Sequence, residues 1–394
     1  GESGTAWSPD GSRIAFTTQR EDDEASQVYI LDMSGPGEAV AITALSTGAK
    51  NPVWNPDGTR IAFESRVFPG ALDDEANQAE KKAREEKGTN VSVYEMFPIR
   101  QWDRWRDDRQ THLFVQDATP NATAVNLVAG SPLVAERGFA GTSTSSGDTL
   151  SAAWAPDGKS LVFNATVNLD EAAYARVNYQ LYQVPADGGD VEQITAGSDW
   201  SCSSPEFSGD GKALYCSIRE LNGEVYNLPE IGRFEWSSKG PGAEPVIVTQ
   251  SLDRPVSGMD VSDDGQTIYL TARDAGRARI YALPASGGDA TPLDTESRGV
   301  YSGVSQAGEF LVARWESSEV PAEVVRIDPA DGSHTPLSQF NAERASGLDR
   351  PAIMEFWYES SKRRRIHNWL ALPAGFDASK KYPLVAQIHG GPFS

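Results

Sequence analysis

Close to residue 394, His389-Gly390-Gly391-Pro392 follows the apolar run Leu384-Val385-Ala386-Gln387-Ile388. Residues of those types in that order fit one kind of chemistry. Two glycines let consecutive backbone N–H groups turn toward an oxygen that becomes negative, as in the tetrahedral intermediate of acyl transfer. A buried strand emptying into a Gly-Gly loop is also the layout of the oxyanion-hole loop of α/β-hydrolases. Gly390 and Gly391 are therefore the candidate oxyanion donors, and His389 by its position orients the loop and does not transfer protons. A nucleophile turn of the Gly-x-Ser-x-Gly type does not occur in the sequence; Gly303-Val304-Ser305-Gln306-Ala307 lacks the last glycine.

A second candidate set lies in Tyr94-Glu95-Met96-Phe97-Pro98-Ile99-Arg100-Gln101-Trp102-Asp103-Arg104-Trp105-Arg106-Asp107, where aromatics alternate with charges. A carboxylate among aromatics can hold an ammonium group through a charge-assisted hydrogen bond, which makes Glu95 a candidate anchor for one; a solvated glutamate beside Tyr94 is the plainer alternative. Arg100, Arg104 and Arg106 either grip a substrate carbonyl or pair with Asp103, Asp107 and Asp108; local pairing is the plainer expectation for most of them. Tyr94 and Trp102 complete the candidate substrate-binding residues. His112, His334 and His367 are scattered, without metal-ligand spacing, so no metal or other cofactor is expected.

The elements that must carry these residues are set by a repeat. Trp7-Ser8-Pro9-Asp10-Gly11 recurs as Trp54-Asn55-Pro56-Asp57-Gly58 and Trp154-Ala155-Pro156-Asp157-Gly158, with weaker copies at Phe207–Gly211, Val261–Gly265 and Val304–Gly308. Proline presets φ, aspartate caps the turn and glycine takes the positive φ of a tight reversal. An alternating apolar strand follows each turn, such as Arg60-Ile61-Ala62-Phe63, and a second hairpin signal follows that, such as Asp187-Gly188-Gly189. Four short antiparallel strands per repeat of this length are the signature of a β-propeller blade.

The expected fold is thus an all-β propeller of about seven four-stranded blades, six of them represented here and another expected upstream of residue 1. Trp7, Trp54, Trp154 and Phe207 should end equivalent inner strands, and Tyr29, Tyr182 and Tyr281 should lie on corresponding outer strands. One interval between turns is doubled and holds an insertion at about 64–111. Its first part, Leu72–Lys87, reads as an exposed helix or a mobile loop, and its second is the aromatic and charged segment above. The turn repeat is lost after residue 351. The expected domains are therefore a propeller over 1–351 and, over 352–394, the first strands of an α/β-hydrolase domain.

Composition excludes some partners. A formal charge of −21 argues against nucleic acid, which needs a basic surface, and favours a cationic substrate group. The apolar stretches are strand-sized, and none approaches a membrane span. Cys202 and Cys216, the sequence's two cysteines, flank Ser208-Gly209-Asp210-Gly211. A disulfide, which would imply an oxidising compartment, and a pair of small buried thiols both fit. Periplasmic, secreted and cytoplasmic locations all stay open, as does a homo-oligomeric state.

Together the Pro-Asp-Gly turns, the strand Ile366-His367-Asn368-Trp369-Leu370 and Lys380-Lys381-Tyr382-Pro383-Leu384-Val385 leading into Ile388-His389-Gly390-Gly391-Pro392 resemble the prolyl oligopeptidase family. The likeness is strongest to its acylaminoacyl-peptidase and bacterial dipeptidyl-peptidase V branch, which the segment Tyr94–Trp105 also resembles. The resemblance implies a serine peptidase acting on short peptides, with the propeller gating access and the remainder of the hydrolase domain as its partner. In that family the Ser, Asp and His of the triad lie downstream of the His-Gly-Gly-Pro loop. A chain ending two residues after it is expected to hydrolyse nothing by itself. The other reading is a propeller without chemistry, similar to the TolB-like periplasmic propellers that bind proteins; an oxyanion loop would serve no purpose there.

Overall fold

The computed structural model describes residues 1–394 except 89–90, 92, 95–96, 145–146, 197–198, 225–226, 238–239, 243, 294–297 and 389–394. The chain divides into two compact units, one of residues 1–227 and 231–247, the other of 228–230 and 248–394.

The first unit carries four antiparallel sheets in succession. The first sheet runs Ser3–Trp7, Arg13–Thr18, Gln27–Asp32 and Val40–Ala41 in that spatial order. The second is built from Lys50–Trp54, Arg60–Val67, Gln110–Asp117 and Val125–Asn126. The third uses Ala153–Trp154, Ser160–Ala165, Gln180–Pro185 and Glu192–Gln193. In the fourth, Trp200–Phe207, Ala213–Glu220 and Glu230–Ser237 are followed by two short strands that both pair with the third. The second unit holds a fifth sheet beginning at Val256–Val261 and a sixth beginning at Val300–Ala307, joined by the single parallel bridge Ala278–Val300. A separate hairpin of Ile353–Glu359 with Arg365–Ala371 follows. Consecutive four-stranded meanders of this kind are propeller blades.

The turns take the form their residues dictate. In the first, Gly11 (φ 69°) donates its N–H to Ser8 O, while Asp10 accepts from the Ser8 hydroxyl and the Ser12 N–H. Those donors hold the Asp10 carboxyl down to about 2, and the equivalent Asp210 is held to about 2 by Ser208 and Lys212. Trp7, Trp54, Trp154 and Phe207 end the first strands of their sheets, as their common offset from the turn predicts. The indole N–H of Trp54 reaches back to Ala6 O of the first sheet (3.1 Å), and that of Trp154 to Val53 O of the second (3.0 Å). Tyr29, Tyr182 and Tyr281 do correspond to one another, but they lie on third strands and not at the outer edge. The fourth strands there are two residues long, whereas third strands pair on both sides and bury these rings opposite Phe16, Phe163 and Leu270.

One repeated device escapes the sequence reading. Four of the first strands contain, and that of the third sheet is preceded by, a residue at positive φ six positions before the turn aspartate: 4 and 10, 51 and 57, 151 and 157, 204 and 210, 258 and 264. At Gly4, Asn51, Ser204 and Gly258 the pairing with the second strand slips, the mark of a β-bulge. A buried polar side chain on one second strand receives the bulge of the next sheet. Glu64, 2% exposed, accepts from Leu150 N (2.8 Å), Ser151 N (3.2 Å) and Thr149 Oγ1 (2.8 Å), and Asn164 at the same position of the third sheet accepts from Ser204 N (3.0 Å).

Cys202 and Cys216 form a disulfide between the first two strands of the fourth sheet, their Cα atoms 5.8 Å apart and both side chains fully buried. Leu384–Ile388, expected as a buried strand, takes no strand conformation, and Leu384, Val385 and Ile388 are exposed. An apolar strand is stable only beside a neighbour that pairs its backbone, and none of the described residues does so here.

Candidate functional site

The second strand of the second sheet runs on to Val67 and the third starts at Gln110, because the two pair over eight residues. The insertion between them accordingly occupies 68–109, slightly less than the expected 64–111. Its first part is a helix, Asp74–Lys87, capped by the Asp73 carboxylate on Ala76 N and closed by Gly88 at φ 57°. The helix is polar nearly all round, with Asn77 its one buried residue. It is therefore held by polar ties: Asn77 accepts from Phe68 N and donates to Thr47 Oγ1, and Asp74 accepts from Ser46 N. Arg84 forks onto Asp108 at 2.8 and 2.9 Å and lies over the Phe68 ring.

The second part carries a short hairpin, Arg100–Gln101 paired with Arg104–Trp105. Three contacts fix it. Arg106 N donates to Ile99 O, Gln101 Nε2 donates to Thr144 O (3.0 Å), and Arg106 Nη2 donates to Asp148 Oδ2 (2.8 Å) in a largely buried ion pair. Asp148 stands on the hairpin Thr142–Thr149, whose backbone is tied in turn by Lys50 Nζ donating to Asp148 O. Burial pushes the Asp107 carboxyl up, yet Arg109 and Arg66 outweigh it and leave Asp107 below the usual carboxylate range.

Between the two hairpins lies a cavity of about 470 Å³ lined by Arg66, Gln101, Trp102, Asp103, Arg104, Trp105, Arg106, Thr144, Gly147 and Asp148. Of the residues singled out in the sequence, Trp102, Arg104 and Arg106 line it directly. Tyr94 packs its ring on Trp105 with centroids 5.8 Å apart, and Arg100 lies over the same indole. The arginine partners differ from the local pairing expected: Arg106 takes Asp148, while Asp107 is held by Arg66 and Arg109, and Asp108 by Arg84. A residue 42 positions away could not be read from local spacing. Arg66, Thr144, Gly147 and Asp148 are cavity residues that sequence reasoning missed, and no motif marks them. Glu95, His389, Gly390 and Gly391 lie outside the described residues. Among the described residues no group of His, Cys, Asp and Glu could hold a metal.

The three described histidines serve packing and hydrogen bonding within the fold. His112 is buried on the second sheet against Asn126 and Phe139; His334 bonds Tyr301; His367 lies between Trp357 and Trp369 with its Nε2 3.1 Å from Glu355.

No family model matches the chain. It is 25% identical over 424 residues to dipeptidyl-peptidase 5 of Trichophyton schoenleinii, an alignment covering 98% of this chain and 54% of that protein. Among solved structures it is similar to the Pyrococcus horikoshii acylaminoacyl peptidase (TM-score 0.64, 16% identity, covering 94% of this chain and 50% of that one). It is also similar to the β-propeller domain of the Trilobed protease from Pyrococcus furiosus (TM-score 0.54, 15% identity, covering 86% and 84%). The chain spans about half the length of the curated relatives it matches.

The repeated four-stranded sheets and these likenesses define a β-propeller. In sequence the likeness is to dipeptidyl-peptidase 5, at 22% and 25% identity to the Porphyromonas gingivalis and Trichophyton schoenleinii proteins.

Proposed function

We propose that this chain is the propeller portion of a serine peptidase that cleaves short peptides, of the dipeptidyl- or acylaminoacyl-peptidase type, and that the insertion 68–109 is the edge at which the propeller meets its substrate. The observation that carries the reading is the cavity under the Arg100–Trp105 hairpin, whose mixed aromatic and charged walls are fastened by Arg106 and Asp148 to the sheets beneath. A peptide offers both kinds of surface that such walls bind. The similarity to dipeptidyl-peptidase 5 along nearly the whole chain supports the same reading.

In this assignment Glu95 holds the substrate's α-ammonium, and Tyr94, Arg100, Trp102 and Arg104 form the surrounding wall. Gly390 and Gly391 supply backbone donors to the oxyanion, with His389 orienting their loop. An ion-assisted hydrogen bond contributes about 1.5–3 kcal/mol. In the full-length enzyme Glu95→Gln should therefore lower kcat/KM by roughly ten- to a hundredfold for peptides with a free N-terminus, and much less for N-acylated ones. Equal losses on both substrate classes would remove the ammonium role from Glu95.

A further inference from the structure

The hairpin Arg100–Gln101/Arg104–Trp105 reverses through two residues, Trp102 and Asp103, and Trp102 adopts φ 51°. A two-residue reversal requires positive φ at its first loop position, and glycine, asparagine or aspartate meet that demand at little cost. A tryptophan there drives its Cβ toward its own backbone. Burial within the chain does not compensate, since the Trp102 side chain is 90% exposed. The hairpin beneath it is nonetheless fixed by Gln101 on Thr144 O and by the Arg106–Asp148 ion pair. Trp102 and the 65% exposed Trp105 both line the cavity, and apart from Gly147 the remaining lining side chains are charged or polar. A strained residue type at a fixed position, with its large apolar face unspent, suits a surface reserved for a ligand.

We infer that Trp102 is a specificity-determining residue: its indole is the wall against which an apolar or aromatic side chain of the bound peptide packs. Arg66, Arg104, Arg106 and Asp148 leave the rest of the cavity to the peptide's polar backbone. The inference rests on the reading of the insertion as the peptide-binding edge, and it adds the side-chain class the edge selects.

The test uses the full-length enzyme and Trp102→Gly. Glycine accepts the positive φ without strain, so this variant removes the indole and relaxes the turn together. Both proteins are offered the tripeptides Xaa-Ala-Ala, Ala-Xaa-Ala and Ala-Ala-Xaa, N-terminally free and N-acetylated, with Xaa either Phe or Gly. At one position the preference of kcat/KM for Phe over Gly should fall about tenfold in the variant, while the thermal midpoint stays level or rises. Unchanged preferences at all three positions would overturn the inference, as would a lowered midpoint with a uniform loss on every peptide, which is the pattern of a structural tryptophan. If the wild-type enzyme cleaves none of the peptides, the peptidase reading itself fails, an outcome separate from the other two.

Discussion

His112 shows how position decides the behaviour of a single side chain. In the first, second and third sheets the residue just before Val28, Leu113 and Leu181, whose carbonyls receive the fourth strand's return, is Gln27, His112 and Gln180. Gln27 and Gln180 each accept from a threonine, Thr43 and Thr195. The second sheet has Val128 in place of that threonine, so His112 is left with Asn126 on Nδ1, and its buried Nε2 has no hydrogen-bond partner among the described residues. Burial lowers its pKa from 6.5 to about 4, and the Asn126 contact opposes this only in part. The neutral ring is the folded form. Below pH 6.5 the unfolded chain binds a proton that the folded one refuses until about pH 4, so stability is complete above 6.5 and declines across that window. At 1.36 kcal/mol per pH unit the loss approaches about 3 kcal/mol. His112→Gln, which borrows the residue of the neighbouring sheets, should flatten this part of the stability profile when denaturant midpoints of the full-length protein are measured from pH 7.5 to 4. An unaltered slope would assign the acid sensitivity to other groups.

At the scale of the element, what could be read in the sequence was what is local. Trp-x-Pro-Asp-Gly specifies its turn within five residues, so the sheets, their order and the doubled interval are legible, whereas the charged composition of Leu72–Lys87 fits an exposed helix and a mobile loop alike. The bulges are not, because Gly4, Asn51, Ser151 and Ser204 meet one backbone requirement with three residue types. Nor are the seams between sheets, whose partners are far apart in sequence: Arg13 Nη2 donates to Gly58 O, and Arg60 to Ala186 O and Asp187. The disulfide stayed undecided because hairpin spacing brings two cysteines near each other whether or not they bond. The cavity was half legible: aromatics and arginines announce the hairpin, but its floor comes from Thr142–Thr149 on another stretch of chain. Glu64 is the seam with the largest predicted effect. Truncating it strips the buried Leu150 N–H and the half-buried Ser151 N–H of their acceptor. Glu64→Ala should cost about 3 kcal/mol in denaturant midpoint analysis, and Glu64→Gln, which keeps one carbonyl acceptor, should recover part of it. A cost under about 0.5 kcal/mol for the alanine variant would mean that water replaces the carboxylate.

Across the whole molecule a formal charge of −21 favours encounter with cationic partners, the free N-terminus of the proposed substrate among them. The manner in which the insertion is attached adds a consequence of its own. Its helix buries almost no apolar surface; besides the bonds of Asp74 and Asn77 to Ser46 and Thr47, the solvent-facing pair Lys81–Glu24 ties it to the first sheet and Arg84–Asp108 ties it to the far end of the insertion. The sheets are held by apolar cores such as Ile61, Phe63 and Phe114. Salt shortens the reach of exposed charges to about 10 Å at 0.1 M and 3 Å at 1 M, and it leaves apolar burial standing. Between those concentrations KM for free peptides should rise severalfold while the thermal midpoint of the full-length protein holds within a few degrees; a midpoint that collapses along with affinity would place the charges in the scaffold. The sheets then carry an edge whose attachment is set by its surroundings, so under the proposed reading the hold on a peptide becomes a property of the medium as much as of the sequence, adjustable by salinity without a change in any residue.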